Sequence, residues 1–110
     1  KIHFPGLENH PGHGVAREQM RRFGGMVSFE LKGGVQPGYD LCMNTKLFAL
    51  AESLGGVESL IEQPATMTHA SVSPEARRAV GLADGLVRLS VGVEDTDDLV
   101  ADLSQALDTV

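Results

Sequence analysis

Several absences narrow the reading before any motif does. One cysteine, Cys42, is present in 110 residues, so no internal disulfide can form and a cytoplasmic setting is the expectation. Basic residues are few, 9 Lys and Arg against 15 Asp and Glu, and the net charge of -6 argues against a nucleic-acid partner, whose phosphates demand clustered cations. The small basic groups, Arg17 with Arg21 and Arg22, and Arg77 with Arg78, read as solvated helix faces. No apolar run approaches the roughly eighteen residues of a membrane helix, so no membrane partner is expected, nor is a secretory leader. Metal-ligand spacing is poor as well. His10-Pro11-Gly12-His13 offers two histidines with no carboxylate or cysteine beside them, and Pro-Gly between them reads as a turn.

What remains is an ordinary globular composition, 42% hydrophobic and 22% charged, with room for one domain and a modest core. The opening Lys1-Ile2-His3-Phe4-Pro5-Gly6 has no initiator methionine and reads as entry from a preceding domain. Residues 1–12 are rich in Pro, Gly and His, an extended lead-in. A helix is expected over 15–22, stopped by Gly24-Gly25. Met26 to Leu31 alternates, with Val27, Phe29 and Leu31 on one face, and predicts a half-buried strand. Pro37 suits the first turn of a second helix that turns Leu41, Cys42 and Met43 to a core.

Leu47 to Ala51 reads as a short strand running into Glu52-Ser53 and the break at Gly55-Gly56. Residues 57–72 give the weakest pattern: one helical turn starting near Glu58-Ser59, then loop around Pro64. Ser73, Pro74 and Gly81 frame a short helix as N-cap, first position and stop. Leu86 to Val91 is strand-like, and a last helix from Asp95 or Thr96 carries Leu99, Leu103, Ala106, Leu107 and Val110 on one stripe. Its acids, from Glu94 to Asp108, read as a solvated face. Alternating strands and helices at this length predict an open α/β layer with helices covering one sheet face.

In Leu86 to Val91 a period of two sets Val87, Leu89 and Val91 on one side, Arg88 and Ser90 on the other. A guanidinium in mid-strand meets either solvent or an anion, and its planar fork suits a carboxylate. On pattern alone the solvent-facing reading of Arg88 carries the larger share. Glu52 and Ser53 stand where an apolar strand meets a Gly-Gly turn, a place that presents side chains into clefts, although on pattern alone a solvated acid and a turn-capping serine carry the larger share.

Three stretches, Leu50-Ala51-Glu52-Ser53-Leu54-Gly55-Gly56-Val57-Glu58-Ser59-Leu60, then Ala65-Thr66-Met67-Thr68-His69-Ala70-Ser71, then Leu86-Val87-Arg88-Leu89-Ser90-Val91-Gly92-Val93-Glu94-Asp95, change that weighting. In this order and spacing they resemble the C-terminal domain of the cystathionine γ-synthase and γ-lyase family, pyridoxal-phosphate (PLP) enzymes of Cys/Met metabolism with fold type I. The resemblance covers residues 10 to the last helix. It implies that residues 1–110 are a single C-terminal small domain: a small, largely antiparallel sheet of α+β type with helices on its outer face. The larger PLP-binding domain would precede it.

It implies further that Arg88 holds the substrate α-carboxylate with Ser53 beside it. Glu52 would lie at the site entrance and bias the choice of substrate, and Thr68 would lie near cofactor and substrate. The family's Schiff-base lysine belongs to the larger domain, and neither Lys32 nor Lys46 has its serine- and threonine-flanked context. The fragment alone is therefore expected to be inactive. The parent is expected to be a cytoplasmic homotetramer acting on small amino acids by γ-elimination or γ-replacement. Read without the resemblance, the chain also fits a stand-alone ligand-binding or regulatory α/β module, or a structural domain.

Overall fold

The alternation in the two longest extended stretches produces the middle of a five-stranded sheet in the computed structural model, which describes residues 1–110. In chain order the elements are β1 (Ile2–His3), α1 (His13–Gln19), β2 (Met26–Glu30), α2 (Val35–Asn44) and β3 (Ala49–Leu50). They continue with β4 (Leu60–Glu62), α3 (Pro74–Ala79), β5 (Leu86–Ser90) and α4 (Thr96–Leu107). The sheet order is β1-β2-β5-β4-β3, antiparallel except between β3 and β4. This is the expected small, largely antiparallel sheet.

Its apolar face is closed by α2 and α4. Leu41 and Cys42 from α2, Ile61 from β4, Val87 and Leu89 from β5, and Leu99 and Ala106 from α4 pack with Phe48 into one buried cluster. Val27, Phe29, Leu31 and Leu103 pack on its edge. Burying each such side chain contributes about 1.5–3 kcal/mol, so this layer carries most of the cohesion. Local capping then fixes the helix ends. Ser73 Oγ accepts the Ala76 N–H at 3.2 Å with Pro74 at the first position, and Asp95 Oδ1 accepts the N–H groups of Asp97 and Asp98.

Some expectations are corrected. The lead-in contains a strand, since Ile2 and His3 pair with Phe29 and Ser28. The helix expected over 15–22 spans His13–Gln19, and the chain is already extended at Met20. The helical turn expected after Val57 is absent: Leu60–Glu62 is β4, buried on both faces, which erases the alternation that marks a half-exposed strand. Arg77 is no solvated residue. Its Nη2 meets Asp84 Oδ1 at 2.9 Å and its Nη1 donates to the Val72 carbonyl at 2.6 Å, so the guanidinium ties α3 to the turn before β5. On the last helix Leu107 and Val110 are exposed, while the acid Asp102 is buried.

Asp102 explains the corner between α2 and β3. Its carboxylate accepts the backbone N–H groups of Lys46 and Leu47 at 2.8 Å each and of Phe48 at 3.1 Å. Burial pushes its carboxyl up, yet these three donors and Gln105 outweigh burial and hold it below its usual 3.8. Three loop N–H groups that follow the end of α2 thus find one acceptor.

Candidate functional site

The opposite face of the sheet is polar. In β5 the side chains of Arg88 and Ser90 point there, and antiparallel register sets Ser28 of β2 and Glu62 of β4 directly beside Arg88. Leu60 stands beside Ser90. Because β3 and β4 run parallel, the chain must cross over the sheet between them, and it does so through the loop 51–59 with no helix. Ser90 Oγ accepts the Gly55 N–H at 2.7 Å, which places that loop over the Arg88 face. Gly55 holds a φ of 76°, a conformation that a side chain would strain.

The far end of the loop is clamped to the segment after β5. Glu94 accepts the Ser59 N–H and the Ser59 hydroxyl, each at 2.7 Å, and these bonds hold its carboxyl below the usual range. Ser59 Oγ accepts the Gly92 N–H at 2.8 Å, and Val93 N–H donates to the Val57 carbonyl. A Cβ on Gly92 would collide with the backbone of Val57 and Glu58, so this close crossing requires glycine. Ser59 and Glu94 are therefore a loop clamp, where the sequence suggested a helix start and a solvated acid.

Arg88 is the centre of the face. Its Nη2 donates to the carbonyls of Glu52 (2.9 Å) and Ser53 (3.3 Å), and its Nη1 pairs with Glu62 Oε1 at 3.2 Å. The Arg88 side chain keeps 21% of its surface exposed, while that of Glu62 keeps 2%. The guanidinium Nε makes no hydrogen bond within the chain and remains a donor for an outside acceptor. Neither alternative drawn from the pattern describes Arg88 fully. It meets an anion from its own sheet and still reaches the surface.

The four residues singled out from sequence come together here, by different routes. Glu52 and Ser53 meet Arg88 through their carbonyls, and both are exposed. Thr68 reaches the cluster from the loop after β4: its hydroxyl donates to Glu62 Oε1 at a long 3.4 Å and lies 2.9 Å from His69 Nδ1. The residue that sequence reasoning missed is Glu62. Burial drives its carboxyl above the usual range, with Arg88 and then Thr68 opposing, and its Oε2 is buried without a partner. Its only mark in the sequence is an acid immediately after the apolar pair Leu60-Ile61; the register with Arg88 comes from the fold.

Other reactive groups are occupied or quiet. Burial pushes the Cys42 thiol up to about 11, so it is a core residue rather than a nucleophile. His10 Nδ1 accepts the Gly12 N–H, and the His13 ring stacks on Phe23 and bonds the Pro5 carbonyl. The face thus offers an oriented guanidinium, hydroxyls and one acid at its rim. Such a set has the donors to orient an anion and holds no group placed to attack one.

Residues 1–108 match the family described as Cys/Met metabolism PLP-dependent enzyme. The chain is 54% identical over all its 110 residues to an L-methionine γ-lyase of Fusobacterium nucleatum subsp. polymorphum, covering 28% of that protein. It is 60% identical over 104 residues, 94% of this chain, to a cystathionine γ-synthase of Mycobacterium leprae, covering 26% of it. A crystal structure of a cystathionine γ-lyase from Micromonospora echinospora superposes with a TM-score of 0.91 at 49% identity, over 98% of this chain and 28% of that one. The chain spans little more than a quarter of the length of the relatives it matches. They differ in reaction, so the match settles kinship and leaves the reaction open. A sheet that presents Arg88 between Glu62 and the Glu52-Ser53 carbonyls, matched end to end at this identity, has one explanation: the chain belongs to the Cys/Met metabolism PLP-dependent enzyme family.

Proposed function

We propose that this chain serves as the C-terminal, substrate-carboxylate-binding domain of a PLP-dependent enzyme of sulfur amino-acid metabolism, of the cystathionine γ-lyase or γ-synthase kind. The observation that carries the reading is Arg88. Its guanidinium is anchored on one side by Glu62 and two carbonyls, and keeps its Nε and part of its surface for a ligand. A planar guanidinium held at both Nη atoms, with its Nε–H left free in a fixed direction, fits an α-carboxylate better than a compact, freely rotating ammonium does. Fixing the carboxylate fixes the orientation of Cα, which is what a carbon–hydrogen bond needs before it is broken. Ser53 would complete the carboxylate pocket, Thr68 would line it, and Glu52 at the rim would bias which distal group is accepted.

The residues present do not fit PLP itself. Lys1 pairs with Glu30 at 3.7 Å, Lys32 and Lys46 are exposed, and the backbone of Lys46 is tied to Asp102 on the helix side of the sheet. No lysine stands beside Arg88. The cofactor's own lysine and phosphate contacts would come from outside these residues, in a parent that the resemblance makes a cytoplasmic homotetramer. The 110-residue chain alone is accordingly expected to bind no PLP. An aldimine absorbance band from the isolated chain mixed with PLP, carried by one of its three lysines in stoichiometric yield, would overturn that division of labour.

The direct test is Arg88→Lys in the full-length enzyme. The charge stays and the planar, pre-oriented donor goes, so a charge-assisted contact of about 1.5–3 kcal/mol is lost, roughly ten- to a hundredfold in kcat/KM. Bound PLP and melting temperature should hold, because Val87 and Leu89 keep the core side of β5 unchanged. Unaltered kinetics would make Arg88 a surface residue, and failure to fold would make it structural.

A further inference from the structure

Glu62 is a costly residue where it stands. It is 1% exposed at the end of a buried strand, one of its oxygens has no partner, and its one ion-pair contact is a guanidinium that two carbonyls already hold. A buried pair of this kind is commonly no more stable than an apolar pair of the same volume, because desolvating the carboxylate offsets the attraction. Leu60 and Ile61 beside it show that the strand readily accommodates apolar residues. Stability therefore gives little reason for an acid here, while geometry gives a definite one.

The two carbonyls grip Nη2 only. Left to them, the guanidinium could still swing about that end. Glu62, fixed by antiparallel register directly opposite Arg88, takes Nη1 and so defines a second point of the plane. With Nη2 and Nη1 both engaged, the direction in which Nε faces is set. Thr68 in turn donates to the same Glu62 oxygen that meets Arg88, which links the loop after β4 to the orientation of the arginine.

We infer that Glu62 is a positioning residue for substrate binding: it sets the plane of the Arg88 guanidinium, so that an incoming amino-acid carboxylate meets an Nε–H donor already oriented. This rests on the reading of Arg88 as the carboxylate's partner. Glu62 itself does not touch the substrate.

The test uses the full-length holoenzyme and two unreactive ligands, L-norvaline and L-norvalinamide, titrated by the change in cofactor absorbance. The ratio of their dissociation constants reads recognition of the carboxylate alone. Glu62→Gln should shrink the preference for norvaline about tenfold, the lower end of what a charge-assisted contact contributes. KM for the amino-acid substrate should rise by a similar factor, with kcat changed by less than about threefold. Glu62→Asp, which keeps the charge one methylene shorter, should fall between Gln and wild type. If Glu62→Gln fails to fold or to hold PLP, Glu62→Asp decides alone: an intermediate preference supports the positioning role and a wild-type one overturns it.

Arg88→Lys is run alongside to separate two failures. Should it abolish the preference while Glu62→Gln keeps the wild-type ratio, the inference about Glu62 is wrong and the reading of Arg88 stands. Should Arg88→Lys itself keep the ratio, the reading on which the inference rests is wrong.

Discussion

Two buried carboxylates sit on opposite sides of the same sheet and are treated in opposite ways. Asp102, on the helix side, collects three backbone N–H donors and Gln105, and these overcome burial to hold it below its usual range. Glu62, on the loop side, has one guanidinium and one long hydroxyl contact, leaves Oε2 unpartnered, and is driven above its usual range by burial. The first is solvated by the protein as well as water would do it. The second is not. A fold that satisfies one acid so fully and leaves the other short separates a structural fastening from a group kept for another purpose.

The largest expected effect breaks the fastening. Asp102→Asn removes a charge that serves three N–H groups, and its amide would turn a donor toward at least one of them. Leaving a buried donor unpaired costs about 1–3 kcal/mol, and the loss should appear as a lower urea midpoint with an unchanged slope. Its pH dependence follows from the sign of the shift. A carboxyl held lower in the folded state than unfolded contributes stability above the unfolded value, near 3.8, and that contribution is lost as pH falls through the folded one. The gap between wild type and Asp102→Asn should therefore be full at neutral pH and narrow in acid. A gap that stays constant with pH would mean that the carboxylate charge is not what holds the corner.

Glu62 should show a smaller effect of the other sign. Its folded carboxyl is raised, so its contribution to stability is fully present below the unfolded value and is lost as pH rises through the folded one. Glu62→Gln removes that loss but deprives Arg88 of its anion, and the two largely cancel. Stability at neutral pH should move by less than about 1 kcal/mol, against the 1–3 kcal/mol of Asp102→Asn. The wild type should lose stability relative to this variant as pH climbs above the ordinary carboxylate range. Parallel curves for the two proteins would show that the buried carboxylate does not titrate with folding.

How much of this was legible beforehand depends on the period of each strand. In β5 the alternation placed Val87 and Leu89 in the core and Arg88 and Ser90 on the other face, as found, while Val91, expected beside the first two, lies past the strand and is exposed. In β4 three residues are buried on both sides, so neither the strand nor the role of Glu62 could be read from pattern. Asp102 looked solvated because it lies among acids on an amphipathic helix. Its donors at 46–48 are neighbours only in the fold. Arg77 failed for the same reason, since what buries it is the turn at Asp84. The resemblance singled out Arg88, Glu52, Ser53 and Thr68 without the fold. The fold added Glu62, the acid that meets both Arg88 and Thr68.

The smallest expected effect on stability belongs to Glu52, and it sharpens the contrast most. Glu52 is exposed, and its tie to Arg88 runs through its carbonyl, which any residue supplies. Its carboxylate makes no hydrogen bond within the chain, yet it stands near enough to Glu62 to add to the upward push on that acid. Glu52→Ala should therefore leave the melting temperature and the norvaline preference almost untouched, because Arg88 and Glu62 keep their places. What changes is the charge at the rim of the face, where the distal part of an amino-acid substrate would lie. Substrates with a charged or polar distal end and those with an apolar one should be affected unequally, within roughly tenfold in relative kcat/KM, the range of one exposed charge contact. The measurement is a ratio: kcat/KM for cystathionine over kcat/KM for methionine in the full-length enzyme, wild type against Glu52→Ala. If both substrates slow by the same factor, Glu52 has no part in selectivity.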